Sequence, residues 1–298
     1  MAEMEKTAAP AQEAPAAPVK KAPKPVSPGT AALRKVVSDV YAAAWEAKKA
    51  GRPVGWSSSK FPCEIAEALD LAVVYPENQA AGIGAQHDGE RMCQAAEDMG
   101  YDADICGYAR ISLAYSAGVE TTNESRRMPQ PDFVLCCNNI CNCMTKWYEN
   151  IARMRNIPLI MVDIPYNNTV DVHDTNVAYV RAQFDSAIKQ LEELTGKKFD
   201  EKKFEQACAN ANRTAQAWLR VCDYLQYKPA PMSGFDLFNH MADVVTARGK
   251  VETAEAFELL ASELEEHVKN GTTTTPFPEQ YRIMFEGIPC WPNLKALF

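Results

Sequence analysis

Long hydrophobic runs and an excess of positive charge are both missing from this chain of 298 residues. No apolar stretch approaches the roughly 18 residues that a membrane-spanning helix needs, and the N-terminus lacks the apolar segment of a secretory signal. The net charge of −8 argues against a nucleic-acid partner, because binding to phosphate groups needs a basic surface. The sequence therefore predicts a cytoplasmic protein that binds neither nucleic acids nor membranes.

Cysteine is the residue type that stands out. The chain has 10 cysteines, and four of them fall within the eight residues "CCNNICNC" that begin at Cys136. A hydrophobic content of 47% and a charged content of 23% are typical of a globular protein. In a reducing compartment cysteines stay as thiols, so a disulfide framework is not expected and the thiols remain available as metal ligands.

The order of apolar and amphipathic segments predicts the fold class. From Arg52 to about Pro165, continuous apolar strands alternate with helices, which predicts a doubly wound, parallel α/β sheet of the Rossmann or flavodoxin-like kind. The stretch from about Asp174 to Asn270 is predicted to be helical, and "YRIMF" to be a strand. The predicted divisions are a disordered Ala/Pro-rich tail at 1–29 with order beginning near Thr30, an α/β domain at 30–170, a helical domain at 171–280 and the start of a truncated second α/β domain at 281–298.

Two stretches of the helical region have apolar residues at spacings of three and four, which predicts one buried face on each helix. The first face comprises Val177, Val180, Phe184, Ile188, Leu191 and Leu194, and the second comprises Phe204, Cys208, Ala211, Ala215, Leu219 and Cys222. We interpret Cys208 and Cys222 as core residues without a chemical role.

The clustered thiols are predicted to lie at the carboxyl edge of the sheet, where open parallel sheets bind their ligands. Cys136 and Cys137 end the third strand, whereas Cys141 and Cys143 lie in the first turn of the next helix. The spacing matches neither a zinc ribbon, nor a ferredoxin run, nor a C-x-x-C pair. A site that combines one of these thiols with a distant one fits better, and Cys106 also opens a helix after a loop.

These positions suggest Cys106 and Cys141 as metal ligands. Cys136, Cys137 and Cys143 are interpreted as structural. At this point the alternative also stays open that all of these thiols are packing residues without a chemical role.

Five stretches together resemble the 2-hydroxyacyl-CoA dehydratase family, which belongs to the benzoyl-CoA reductase/2-hydroxyglutaryl-CoA dehydratase superfamily. They are "GWSSSKFPCEIAEALDLAVVYPENQAAGI", "ICGYARISLAY", "PDFVLCCNNICNCMTKWYENIA", "GFDLFNHMADVVTARGK" and "YRIMFEGIPCWP". The resemblance covers residues from about 31 to 298. Within the family, the sequence resembles the α subunits of (R)-2-hydroxyisocaproyl-CoA, phenyllactyl-CoA and lactoyl-CoA dehydratases.

The resemblance implies a cofactor and partners. It implies a [4Fe-4S] cluster in the domain at 30–170, held by Cys106, Cys141 and a third cysteine that is expected beyond Phe298. It also implies a heterodimer with a homologous second subunit, and an ATP-dependent iron–sulfur activator protein. Residues 1–298 alone are therefore expected not to form a competent enzyme.

The implied reaction is typical of anaerobic amino-acid fermentation. The open iron coordinates the thioester carbonyl of the acyl-CoA substrate, and the activator delivers one low-potential electron. A ketyl radical then expels the hydroxyl group from C2, the proton leaves C3, and the electron returns. The net change is a reversible syn elimination of water to an (E)-2-enoyl-CoA.

Acid–base groups are expected in the loops that follow the first two strands, because both loops belong on the carboxyl edge of the sheet. Glu77 is the candidate acid or base, and the resemblance favours a partner serine, Ser59 or its neighbour Ser58. His87 is interpreted as a residue at a helix start. The segment from Lys146 to Glu149 is interpreted as packing that braces the cluster helix.

Two other functions stay open at this stage. One is a non-catalytic scaffold or fragment with the same fold, and the other is a benzoyl-CoA-reductase-type subunit, which adds electrons to its substrate. The "YPENQAAGI" and "CCNNICN" stretches favour the dehydratase branch. The acyl group of the substrate is left open.

Overall fold

The computed structural model describes residues 26–275 and 278–297. The strands are β1 Val54–Ser57, β2 Ala72–Val74, β3 Phe133–Cys137 and β4 Leu159–Val162. The α-helices are α1 Pro28–Lys49, α2 Cys63–Ala68, α3 Pro76–Ala85, α4 Gly89–Asp98, α5 Gly107–Ser116, α6 Asn142–Arg155, α7 Asp174–Thr195, α8 Glu201–Tyr224, α9 Gly234–Ala247, α10 Val251–Lys269 and α11 Leu294–Leu297. Short 3-10 helices lie at Glu124–Arg126 and Trp291–Asn293.

The four strands form one parallel sheet with the order β2-β1-β3-β4. Trp56 of β1 is paired with Val74 of β2 on one side and with Val134 of β3 on the other. The chain therefore moves outward from β1 in both directions, and the loops that follow β1 and β3 diverge. In open α/β sheets this switch point is where the ligand crevice forms. The prediction of a doubly wound α/β fold is confirmed.

Both faces of the sheet are covered, which explains why β3 is apolar throughout. Val134 and Cys136 of β3 belong to a core that includes residues of α3, α4, α5 and α6. The alternate residues Phe133, Leu135 and Cys137 face a second core with α2 and α7. Successive side chains of a strand point to opposite faces, so a strand covered on both faces needs apolar residues at every position.

Helix α1 joins the sheet to the helical part of the chain. Its residue Leu33 is fully buried in a third core that contains Phe257 and Leu260 of α10. Near the sheet, the Tyr41 hydroxyl donates to the carbonyl oxygen of Tyr75 at 3.4 Å. The predicted domain boundaries at residues 170 and 280 stay predictions.

The burial pattern differs from the predicted faces of α7 and α8. Val177 and Leu194 of α7 are exposed, and Leu219 of α8 has 61% of its surface exposed. Ala215 is also exposed, and the buried residues of α8 are Ala207, Thr214, Ala217 and Val221. Leu191 is buried as predicted, and Phe184, Ile188 and Phe204 pack against the second core. In α8 the fully buried positions are mostly small residues, because closely packed helices leave little room for side chains between them.

The predicted strand "YRIMF" is wrong, because residues 278–290 form no regular element. Tyr281, Ile283 and Met284 are each more than four-fifths exposed. A parallel strand needs a neighbouring strand and a covered face, and within the described residues the sheet stops at β2 and β4. The segment then returns to the fold at Leu294, which is buried.

At the N-terminus, α1 begins at Pro28, two residues before the predicted start, and the Ser27 side chain accepts a hydrogen bond from the Thr30 N–H as its N-cap. Residues 1–25 of the predicted disordered tail lie outside the described residues. Among the described helices, none combines the length and the apolar character that crossing a bilayer requires.

Candidate functional site

The carboxyl edge of the sheet brings Ser59 and Glu77 into direct contact. The Ser59 hydroxyl donates to Glu77 Oε1 at 2.9 Å, and the Ser59 N–H donates to Oε2 at 2.6 Å. Ser59 lies in the turn after β1, and Glu77 follows β2 by three residues. Of the three consecutive serines, Ser59 is therefore the one that holds the carboxylate.

Glu77 is not in a loop, as the sequence predicted, but in the first turn of helix α3. The segment "PENQAAGIGA" contains two glycines and has weak apolar periodicity, so the helix was missed. Pro76 at the first helical position is the signal that could have revealed it. The position matters because the N-terminus of a helix stabilises a negative charge.

Burial raises the pKa of the Glu77 carboxyl above its ordinary value. The two hydrogen bonds from Ser59 and the charge of Lys60 act in the opposite direction, because they stabilise the ionised form. A half-buried carboxyl with a raised pKa and a fixed orientation holds its proton to higher pH than an exposed glutamate does, which suits a general acid or base.

Asn78 fixes helix α3 against the helical part of the chain. Its side-chain amide donates to the Ala242 carbonyl oxygen at 3.2 Å and to the Thr246 hydroxyl, both on α9. The neighbouring Gln79 donates to the Arg126 carbonyl oxygen at 2.9 Å. Asn78 and Gln79 directly follow Glu77 in α3. The position of the Glu77 carboxyl therefore depends on α9 as well as on the sheet.

Cys106 and Cys141 both lie directly before a helix. Each is the N-cap residue of a helix, of α5 and α6 respectively, and each is exposed. The Cys141 sulfur accepts a hydrogen bond from the Met144 N–H at 3.4 Å. At a helix N-terminus, unpaired backbone N–H groups and the helix dipole favour a negatively charged bound group or cluster.

Two further thiols lie beside this pair. The Cys93 thiol donates to the Gly107 carbonyl oxygen at 3.7 Å, and burial raises its pKa, with a smaller contribution from Cys106. Burial likewise raises the pKa of Cys143, which also interacts with Cys106 and Cys141. The structure therefore places thiols of α4, α5 and α6 in one neighbourhood.

The fit to an iron–sulfur cluster is partial. Within residues 26–275 and 278–297, no three side chains of histidine, cysteine, aspartate or glutamate come together as a metal-binding group. Cys106 and Cys141 have the exposure and the helix-terminal position of cluster ligands, whereas the donor set needs at least one more ligand.

Cys136 and Cys137 are buried at the end of β3, on opposite faces of the sheet. Burial raises the pKa of each thiol to about 12, so both remain neutral. The Cys137 thiol donates to the Lys60 carbonyl oxygen at 3.7 Å. These features are those of packing residues rather than of ligands.

Tyr108 and Trp291 are site residues that the sequence analysis missed. Tyr108 lies in the first turn of α5, and its pKa is raised by burial, with smaller contributions from Cys106 and Glu77. The Trp291 indole N–H donates to the Tyr108 hydroxyl. Tyr108 thus interacts with both Cys106 and Glu77, and the C-terminal segment is hydrogen-bonded to it.

The remaining candidates lie apart from this arrangement or behave differently from expectation. His87 is exposed in the short link before α4, with a φ of 63°. In α6, Trp147 and Tyr148 are buried, whereas Lys146 forms an exposed ion pair with Glu149 at 2.7 Å. Only the two aromatic residues of this segment pack in the core as expected.

Comparison with known proteins gives a consistent result. Residues 58–298 match the family model described as 2-hydroxyglutaryl-CoA dehydratase, D-component. The chain is 59% identical to the α subunit of (R)-2-hydroxyglutaryl-CoA dehydratase of Acidaminococcus fermentans, with 93% of the chain and 73% of that protein covered.

Two further relatives are α subunits of clostridial enzymes. The chain is 54% identical to that of (R)-phenyllactyl-CoA dehydratase of Clostridium sporogenes, and 50% identical to that of (R)-2-hydroxyisocaproyl-CoA dehydratase of Clostridioides difficile. Each match covers 88% of the chain but 64% of the relative. The chain therefore spans about two thirds to three quarters of the length of these relatives.

Proposed function

The chain belongs to the family described as 2-hydroxyglutaryl-CoA dehydratase, D-component, and we propose that it is a subunit of an iron–sulfur (R)-2-hydroxyacyl-CoA dehydratase. The reaction is the reversible syn elimination of water from the substrate to give an (E)-2-enoyl-CoA. The observation that carries the proposal is the Ser59–Glu77 pair, which lies at the carboxyl edge of the sheet close to its switch point.

Glu77 is the proton-transfer group in this proposal. Its raised pKa lets it carry a proton to the departing hydroxyl group at C2, or accept the proton that leaves C3. Ser59 orients the carboxyl through two hydrogen bonds, so that the carboxyl does not have to reorganise during proton transfer. Tyr108 interacts electrostatically with both Glu77 and Cys106.

In this proposal Cys106 and Cys141 would hold a [4Fe-4S] cluster, and the donor set needs at least one further ligand. When bound, the cluster would supply the single electron that turns the thioester carbonyl of the substrate into a ketyl radical and so loosens the hydroxyl group at C2. The buried aromatic residues Trp147 and Tyr148 anchor the helix that begins after Cys141.

The proposed partners are a homologous second dehydratase subunit, an ATP-dependent iron–sulfur activator protein and the acyl-CoA substrate. The names of the relatives support the first of these, since each is called an α subunit. The activator is proposed as the donor of the single electron.

Identity to the 2-hydroxyglutaryl-CoA enzyme is higher than to the phenyllactyl-CoA and 2-hydroxyisocaproyl-CoA enzymes. We therefore propose (R)-2-hydroxyglutaryl-CoA as the first substrate to test. The experiment assembles the protein with its partner subunit under anaerobic conditions and adds the activator, ATP and a reductant.

Formation of the enoyl-CoA is then measured for a panel of (R)-2-hydroxyacyl-CoAs. The proposal expects ATP-dependent loss of water from at least one member of the panel. An assembled, iron-loaded complex that converts none of them would contradict it, and reduction of benzoyl-CoA by that complex would assign it to the reductase branch instead.

A further inference from the structure

We propose that Asn138 and Asp163 are positioning residues for Cys141. Their hydrogen bonds join the loop that carries this thiol to the loop after the neighbouring strand, and so fix the place of the thiol at the carboxyl edge of the sheet. The role of Cys141 as a cluster ligand rests on the proposed function, whereas the connection between the two loops does not.

Asn138 and Asp163 directly follow the paired strands β3 and β4. The side-chain amide of Asn138 donates to Asp163 Oδ1, and its Oδ1 accepts a hydrogen bond from the Ile164 N–H at 2.7 Å. The Asn138 N–H donates to the Val162 carbonyl oxygen at 3.3 Å. One residue of the loop after β3 thus bonds to three consecutive residues at the end of β4.

The two side-chain hydrogen bonds of Asn138 need both ends of an amide. Its oxygen faces a backbone donor and its nitrogen faces a carboxylate, which only accepts, so the orientation of the amide is fixed. Asn138→Asp would keep an acceptor for the Ile164 N–H but would place a second carboxylate against Asp163, and like charges repel.

Asp163 is itself held by helix α7. The Tyr179 hydroxyl donates to Asp163 Oδ2 at 2.6 Å, and the Asp163 N–H donates to the Gln183 side-chain oxygen at 3.4 Å. The hydrogen bond to Asp163 is the main cause that raises the pKa of Tyr179. Each carboxylate oxygen of Asp163 therefore has its own donor, and the connection runs from α7 through Asp163 to the loop after β3.

This connection ends close to Cys141 along the chain. Only Asn139 and Ile140 separate Asn138 from Cys141, and both are exposed. On its other side, Cys141 is the N-cap of α6, and its sulfur accepts a hydrogen bond from the Met144 N–H at 3.4 Å. The position of the thiol is thus set by the Asn138 side chain on one side and by α6 on the other.

A fixed thiol matters because Cys141 is exposed and has few contacts of its own to hold it. Removing a group that orients a metal ligand typically lowers metal affinity by about ten- to hundredfold. We therefore expect the connection between the two loops to act on the retention of iron.

The test exchanges the two side chains. Asn138→Asp should release the loop, whereas Asn138→Asp/Asp163→Asn restores one amide and one carboxylate in the opposite order. In the double variant the new carboxylate accepts from the Ile164 N–H and from the new amide, whose oxygen accepts from the Tyr179 hydroxyl. The second substitution should therefore repair the damage done by the first.

Hydrogen exchange measures the loop in the protein before iron is added. The Met144 amide should exchange about tenfold faster in Asn138→Asp than in the parent, and at nearly the parent rate in the double variant. Asn139→Asp is the matched control, since it adds the same charge to the same loop at an exposed position. Tyr179→Phe should give a smaller increase, and it decides if Asn138→Asp does not fold.

The second measurement follows iron in the assembled enzyme after anaerobic reconstitution. Iron should pass to a chelator about tenfold faster from Asn138→Asp than from the parent or from Asn139→Asp, and the double variant should recover. The electron paramagnetic resonance spectrum of the reduced enzyme should change in Asn138→Asp and return in the double variant, which a general loss of stability would not produce.

Unchanged Met144 exchange in both Asn138→Asp and Tyr179→Phe would overturn the inference. Unchanged iron release from Asn138→Asp would also overturn it, and so would a double variant no better than Asn138→Asp alone. Full iron loading of Cys141→Ser is a different failure, because it would refute the proposed function of Cys141 while the exchange measurement still decides whether the two loops are connected.

Discussion

Glu77 and Glu90 are each the second residue of a helix, α3 and α4 respectively, but they differ in burial and in hydrogen bonding. Glu90 is exposed. Glu77 is half-buried, carries two hydrogen bonds from Ser59, and has a pKa that burial raises. Both carboxylates lie at a helix N-terminus, so the burial and the hydrogen bonds of Glu77 are effects of its particular site.

The substitution Glu77→Gln should remove most dehydration by the assembled enzyme while the chain keeps its stability. Because the folded-state pKa is raised, the ionised carboxylate costs free energy of folding, and this cost grows as the pH rises from the ordinary glutamate value through the raised one. The stability of Glu77→Gln relative to the parent should thus increase from pH 4 to pH 7.

Urea unfolding at several pH values and kcat measurements test this prediction. Glu90→Gln is the control and should change neither quantity appreciably. Near-normal kcat in Glu77→Gln would make the carboxyl a structural group.

The two N-cap thiols give a second prediction at this scale. Cys106→Ser or Cys141→Ser should lower the iron content after anaerobic reconstitution of the assembled enzyme and abolish its activity, because a cluster ligand is lost. Cys208→Ala and Cys222→Ala, on helix α8, should leave both nearly unchanged, since those thiols are half-buried packing groups. Full iron loading and turnover in the Cys141 variant would contradict the assignment.

At the scale of the elements, the junction between α3 and α4 is held by one carboxylate. Asp88 lies just before α4 and receives hydrogen bonds from Arg91 at 2.7 Å, from the Thr121 hydroxyl at 3.0 Å and from the Thr122 N–H at 2.9 Å. The Arg91 guanidinium is the main cause that lowers the pKa of Asp88 to about 2. The loop after α5 is thereby fastened to the start of α4.

Asp88→Asn should destabilise the protein by up to about 2 kcal/mol at neutral pH, the free energy that corresponds to the lowered pKa. A lowered pKa stabilises the fold above the ordinary aspartate value, and this contribution is lost as the pH falls from near 3.8 to about 2. The difference between parent and variant should therefore shrink over that interval.

Denaturant unfolding at pH 7 and at acid pH measures the effect of Asp88→Asn. Asp98→Asn, at the exposed C-terminal end of the same helix, is the control and should be neutral or slightly stabilising, because a negative charge there opposes the helix dipole. Equal losses in the two variants would refute the role given to Asp88.

At the scale of the whole molecule, two ion pairs connect α2 to the helices beyond the sheet. Arg248 Nε lies 3.2 Å from Glu64 Oε1, and Lys250 Nζ lies 2.8 Å from Glu67 Oε1. The exposed side-chain fractions are 23% and 14% for the first pair, against 35% and 36% for the second. The two pairs bridge the same elements but differ in their access to water.

Glu64→Gln should lower the free energy of unfolding by about 2 kcal/mol, because it leaves the Arg248 charge poorly solvated. Glu67→Gln should cost less than about 1 kcal/mol, since Lys250 remains accessible to water. Unfolding followed by tryptophan fluorescence and by circular dichroism should give coincident transitions, because α1 packs on both parts of the chain. A larger loss in Glu67→Gln than in Glu64→Gln would contradict this account.

The spacing of apolar residues in the sequence predicts most helices and strands correctly, but it fails where this pattern is weak or misleading. The four strands and the helices α4, α5, α6 and α10 follow from apolar runs, glycine stops and helix-opening residues. Helix α3 was missed because "PENQAAGIGA" has little amphipathic signal, and "YRIMF" was misassigned because a strand-like composition does not supply a neighbouring strand.

The sequence by itself determined the parallel α/β sheet and the helix-opening positions of Cys106 and Cys141, because these depend on residues a few positions apart. Only the tertiary structure decided that Ser59 holds Glu77 and that Tyr108 meets Trp291. Ser59 and Glu77 are 18 residues apart, and Tyr108 and Trp291 are 183 apart. Contacts at such separations are set by how strands and helices pack against one another, which local patterns do not specify.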